Sequence, residues 1–249
     1  LAAIRADMGR IVIGREVNGL AQAGAGDVLI GAIAQAESFT FRHDTEIYGN
    51  NIRVSDYLNT QRQLWASRNL SLIAEHNIVI RNTVMVDVWV PANPVLTLFS
   101  EKGSVTQQNS AFVPAQEVIR VRNLHVNSAT GTELLWTEIY ELNVRNTGPT
   151  GDIRIHTQAS NPVFGISGDL LVRRAEQSHA EGSGAILLST QAGNMTVATA
   201  GAANLARGST RGADQRVTGL NSHVILPAGA GITTAGSGDV VLVTATNAR

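Results

Sequence analysis

The sequence predicts an all-β chain, a single-domain right-handed parallel β-helix (β-solenoid) carrying loop insertions. Three observations predict it. A short phrase recurs along the chain, a polar or glycine corner followed by an apolar–any–apolar triplet. Glycine is abundant at 24 of 249 residues, while charged residues make up only 16%. Segments with a helical period are few: the Ala-rich stretch from Glu16 to Ala36 is broken by Gly19, Gly24, Gly26 and Gly31.

The first clear copy of the phrase is Gly26-Asp27-Val28-Leu29-Ile30, followed by Asn50-Asn51-Ile52-Arg53-Val54. Next come Arg68-Asn69-Leu70-Ser71-Leu72, His76-Asn77-Ile78-Val79-Ile80 and Pro94-Val95-Leu96-Thr97-Leu98. Glu117-Val118-Ile119-Arg120-Val121 and Glu141-Leu142-Asn143-Val144 continue the series. The cleanest copies come last: Gly151-Asp152-Ile153-Arg154-Ile155, Gly168-Asp169-Leu170-Leu171-Val172, Gly193-Asn194-Met195-Thr196-Val197 and Gly238-Asp239-Val240-Val241-Leu242.

Each phrase makes physical sense as one side of a coil. Alternation of period two sends two apolar side chains inward and the residue between them outward. Gly then supplies a corner because it reaches positive φ, and Asn or Asp tolerates the same region. Stacked corner side chains form hydrogen-bonded ladders, a role that suits Asn51, Asn69, Asn77 and Asn194. Coils of about 20 residues would give about 12 turns and a rod of about 60 Å at the usual strand spacing. A doubly wound α/β fold needs crossover helices, and an antiparallel sandwich needs longer strands with Asn-Gly turns. Neither pattern is common here.

Four segments interrupt the rhythm and read as insertions, near 56–66, 84–94, 127–140 and 199–222. The first three carry the tryptophans: Tyr57 with Trp65, then Trp89, then Trp136 with Tyr140. These five aromatic residues are the candidate contact residues, sealing loops against the rod, meeting a neighbouring subunit or stacking on a sugar.

A hydrophobic content of 43% supports a packed core, and a net charge of −1 argues against nucleic acid or an anionic membrane as partner. Lys102 is the only lysine, the other basic residues being arginine, whose planar forks suit carboxylates and sulfates. Without cysteine there is neither a disulfide framework nor a thiolate zinc site. No apolar run reaches membrane-spanning length. The chain opens at Leu1 and stops at Arg249 just after a strand-like run, so it reads as a fragment or processed part of a longer precursor.

Segments such as Leu70-Ser71-Leu72-Ile73-Ala74, Asn77-Ile78-Val79-Ile80-Arg81-Asn82 and Leu96-Thr97-Leu98-Phe99-Ser100 carry a resemblance. The chain resembles the shaft repeats of filamentous-haemagglutinin-like adhesins and other giant bacterial surface β-helix proteins, most closely over residues 50–200. The repeat here is looser and richer in aromatic insertions. The resemblance implies a structural or adhesive role at the bacterial cell surface or in an extracellular or biofilm matrix. The partners it implies are neighbouring segments of the same giant protein and surface glycans. Strand-like runs at Arg10–Gly14 and Val240–Thr244 leave both ends of the stack open, so head-to-tail self-assembly is a further expectation.

Parallel β-helices also carry polysaccharide-cleaving chemistry, whose signature is a pair of carboxylates. Candidates are Asp44 with Glu46, Asp56, Asp87, and Glu133 with Glu138. None forms a pair diagnostic of hydrolysis, and a carbohydrate-binding or carbohydrate-cleaving domain is the alternative reading. The six histidines are His43, His76, His125, His156, His179 and His223, and no HxH or HExxH spacing joins them. The glycines at 24, 26 and 31 lack a dinucleotide spacing, and residues 165–169 do not make a nucleophile elbow. The expectation is therefore no catalytic residue, no metal and no cofactor.

Overall fold

The computed structural model describes residues 9–31, 39–54, 63–81, 83–86, 94–108, 118–158, 168–191, 193–198, 215–219, 224–225, 233–234 and 239–244. Among these there is no helix. The chain is all-β. One sheet of 21 strands contains only parallel pairings, and a separate antiparallel hairpin joins Glu16–Val17 to Leu20–Ala21.

The pairings fall into three series, which make three faces. The first face aligns Val28, Ile52, Ile78, Val105, Thr132, Ile153, Ile186 and Val240 as successive register partners. The second aligns Phe39–Phe41, Gln63–Ala66 and Thr83–Val86 with residues 119–121 and 137–139. The third aligns Thr45, Leu70, Leu96, Leu124, Leu142 and Val172. The chain visits the faces in the order first, second, third, then returns to the first one rung further on. This pattern is consistent with a parallel β-helix. At the far end, Val240–Thr244 lies between Ile186–Thr190 and Gln215–Gly219, so strand order there departs from chain order.

Each triplet alternates as its residue types require. Ile78 and Ile80 are fully buried while Val79 between them is only half-buried, and Ile153 and Ile155 flank an exposed Arg154. Inward side chains from all three faces meet in one core of Ile, Leu and Val. Burying such side chains is the main favourable term of folding.

The glycine corners behave as their chemistry demands. Gly151, Gly168 and Gly193 have φ of 91°, 83° and 85°, each just before the Asp or Asn of its phrase. At Gly151 a side chain would also strike the Thr130 carbonyl of the previous coil, so glycine is needed twice over.

Two expectations are corrected. Coils are larger than about 20 residues over much of the chain. Ile52 and Ile78 are register partners 26 residues apart, whereas the steps from Ile119 to Thr137 and from Leu124 to Leu142 shrink to 18. The first face consequently has nine register positions among the described residues, counting Gln215 beyond Val240, about 38 Å of stack at the usual strand spacing. The segment 127–140, expected as an insertion that breaks the rhythm, is strand over most of its length. It runs from the end of Ile119–Ser128 through a short corner into Thr132–Asn146, a continuous strand that bends around all three faces. Alternation holds at 132–135 and 141–146 and lapses at 137–139, where all three residues are buried; Leu134, Ile139 and Leu142 are fully buried. Of the other interruptions, residues 63–66 and 84–86 are strand, as are 215–219 of the last, while 56–62, 87–93, 199–214 and 220–222 lie outside the described residues.

Outside the third face, the hairpin strand Leu20–Ala21 lays Ala21 against a small apolar stack of Tyr48, Ile73 and Phe99. Deleting a core side chain should cost far more than deleting an outward one. Leu124→Ala is expected to lower unfolding free energy by about 2–5 kcal/mol, whereas Thr97→Ala should change it by about 0.5 kcal/mol or less. Denaturant titration followed by circular dichroism reads both.

Candidate functional site

The corner before the first face is built by a ladder of polar side chains. Asp27 Oδ1 accepts from Asn51 Nδ2 at 2.9 Å and from Asn50 Nδ2 at 2.8 Å. Asn51 Oδ1 accepts the backbone N–H of Asn77 at 3.0 Å, and Asn77 Oδ1 accepts the backbone N–H and the hydroxyl of Ser104 at 3.0 and 3.1 Å. Each short side chain thus satisfies the donor at the same corner one coil on. Asp152 does the same for Ala185 at 2.9 Å, and Asp169 for Asn194 at 2.8 Å. A parallel ladder at the third face runs from Asp44 to the N–H of Asn69, and from Asn69 to that of Val95. At Gly103 a side chain would collide with Asn77 Oδ1, which explains glycine beside the ladder.

Beside this corner lies a groove on the outside of the first face. One cavity of about 550 Å³ runs over Leu29, Arg53, Val79 and Thr106, with Asp27, Asn51 and Asn77 at its wall. A second of about 290 Å³ shares Ser104 and Thr106 with it and continues over Glu133 to Arg154. Its lining charges are nearly balanced, since Asp27, Glu133 and Asp152 face Arg53 and Arg154. Asp152 and Arg154 pair with each other at 2.8 Å. The hydrogen bonds from Asn51 and Asn50 hold the Asp27 carboxyl below its ordinary range, so it stays ionised.

The corner between the third and first faces carries an ion pair. Lys102 Nζ sits 2.8 Å from Glu75 Oε1, and the N–H of Gly24 donates to Glu75 Oε2 at 3.3 Å. The lysine lowers the Glu75 pKa and is itself raised. Inside the same turn, Ser128, Thr132, Asn146 and Gln177 form a buried network, in which Asn146 Nδ2 donates to Gln177 Oε1 at 2.8 Å.

The candidate contact residues do not converge. Trp136 is half-buried, and its backbone N–H and C=O are bridged by the Gln107 amide at 2.9 and 3.0 Å. Tyr140 is half-buried at the next corner, with the Arg122 guanidinium 5.0 Å from its ring centroid. Trp65 stands in Gln63–Ala66 in register with Thr40 and Met85. Tyr57 and Trp89 lie outside the described residues.

The carboxylates are dispersed as well. Glu46 binds Arg10 and the Tyr48 hydroxyl, Asp44 serves its ladder, and Glu138 is held by both arms of Arg120. Glu133 lines the groove, while Asp56 and Asp87 lie outside the described residues. His76 is exposed and its Nδ1 meets Asn50 Oδ1 at 2.8 Å. His125 and His156 are half-buried, and burial lowers both pKa values. Among the described residues no group of three or more His, Asp or Glu is placed to hold a metal ion, and no helix is long and apolar enough to cross a membrane.

The groove was not anticipated. Its signal was the middle residue of successive triplets, Leu29, Arg53, Val79 and Arg154, which stack only once the register is known. Comparison with protein-family models, with curated proteins and with solved structures finds no match.

Two outcomes follow from the ladder and the ion pair. Asn77→Ala leaves the Ser104 N–H without its acceptor and should cost about 1–3 kcal/mol in a denaturant titration. Glu75 has a folded pKa below its unfolded value, so its stabilisation is present above the ordinary glutamate range and is lost as pH falls through the folded pKa. Wild type should therefore melt above Glu75→Gln at neutral pH, with the gap closing in acid.

Proposed function

We propose that the chain is a right-handed parallel β-solenoid serving as a structural and adhesive segment of an extracellular bacterial fibre. In this reading it is a scaffold that assembles end to end, either with copies of itself or with neighbouring segments of a longer surface protein.

The observation that carries the reading is the state of the first rung. Arg10–Ile13 pairs only with Asp44–Gly49, and Val28–Ile30 only with Ile52–Val54, among the described residues. Strands with one parallel neighbour offer a row of backbone donors and acceptors to another chain. Their outward side chains add apolar area, since Leu29 is 66% and Val12 is 45% exposed. Contact of one end with the other end of a second copy would be heterologous and would propagate into a filament. The ladders support the same role, because they make each coil a template for the next.

Negative-stain electron microscopy of purified chain tests this directly. Unbranched filaments are expected, and the double variant Val12→Lys, Leu29→Lys should abolish them, because edge lysines oppose strand pairing. Both side chains point outward, so the variant should keep the wild-type circular dichroism. Isolated short rods from the wild type at every concentration would overturn end-to-end assembly.

A further inference from the structure

We propose that the groove on the first face binds an uncharged, hydroxyl-rich polysaccharide lying along the stack. The inference goes beyond assembly, since it needs one rod and not a fibre, and its failure would leave the filament test untouched.

The first argument is length and direction. The two cavities share Ser104 and Thr106 and together span six successive rungs, from Asp27 to Arg154. At about 4.8 Å per rung that is about 24 Å, the reach of a short oligomer rather than of a compact metabolite. The lining repeats at rung spacing, with one outward side chain from each coil and one corner side chain from each except the fifth, where the corner is Gly131. A ligand that itself repeats can meet such a lining more than once.

The second argument is hydrogen-bonding chemistry. Asn51 and Asn77 each use one amide hydrogen within the ladder, and an amide has two. The Ser104 hydroxyl donates to Asn77 and retains acceptor capacity, and Thr106 adds a second hydroxyl beside it. Such groups give and accept single neutral hydrogen bonds, which is what sugar hydroxyls need. Between them, Leu29 and Val79 offer apolar surface to the C–H faces of a sugar ring.

The third argument is exclusion. Three carboxylates face two guanidiniums, and one pair of these is already joined, so a polyanion gains nothing on entering. An extended peptide is disfavoured for another reason. Strands such as Ile78–Ile80 are paired on both sides, with Ile52–Val54 and with Val105–Gln107. Their backbone groups point along the stack, and a peptide strand in the groove would find no ladder to continue.

The test uses the full chain with cellohexaose, xylohexaose and maltohexaose as neutral probes, and with hexagalacturonate and a decapeptide of mixed sequence as competitors. Isothermal titration and backbone-amide NMR are the readouts. At least one neutral probe is expected to bind, shifting amides at 51–53, 77–79 and 104–106. Thr106→Trp and Val79→Arg, both at outward positions, should each weaken that binding at least about tenfold. The shift map on wild-type protein stands even if a variant does not fold. Absence of binding by all three neutral probes would overturn the proposal. So would shifts confined to other faces, or tighter binding of hexagalacturonate or of the peptide.

Discussion

Everything in this molecule depends on backbone hydrogen bonds that run along the stack instead of within a coil. The N–H of Ile52 reaches the carbonyl of Asn77, that of Ile78 reaches Ser104, and that of Val105 reaches Gly131, at 2.9, 2.9 and 3.1 Å. A coil therefore has no complete set of partners by itself; its polar main chain is satisfied only when the coils on either side are present. Side chains are released from that duty on the flat faces, where they either fill the core or form the outer surface. At corners the regular pairing lapses, and there the sequence turns to Asp, Asn, Ser and positive-φ glycine.

Charge is handled in a matching way. The second face carries Met85, Arg120 and Glu138 in one outward column, all well removed from solvent. A buried acid is tolerable there because Arg120 engages it through two donors, at 2.5 and 2.9 Å. On the third face, the register shifts between Leu142 and Asn143 and leaves Arg173 as an extra residue. That bulge turns Arg173 and Arg174 outward in succession, where they meet Glu141 and Glu176.

The legible part of the sequence was the first and third faces. Triplets such as Ile52-Arg53-Val54 and Leu96-Thr97-Leu98 alternate cleanly because one side of the strand is core and the other is open, and period two reports that contrast. The second face was legible only at Ile119-Arg120-Val121, because its outward residues are buried too: Thr83–Val86 is buried at all four positions and so shows no alternation in exposure. Trp136 and Tyr140 misled for a different reason. Bulky aromatic residues in a polar context resemble loop anchors, yet each stands at a bend where one long strand passes between faces. The groove was illegible in principle, since its wall and floor come from residues about 25 positions apart that only register brings together.

The turn from the third face to the first holds one inward column whose members grow along the stack. Gly49 faces Ala74, Ala74 faces Ser100, and one register step beyond Phe99 and Asn127 stands Ser128, followed by Asn146 and then Gln177. All six are buried. A perfectly repetitive solenoid can misalign by one whole coil at little energetic cost, because every layer accepts every other. Here such a slip would press an amide into space shaped for a methyl group, or leave a buried amide facing alanine. The graded column opposes every one-coil slip except between Ser100 and Ser128, and its growth from glycine to glutamine gives the stack a direction.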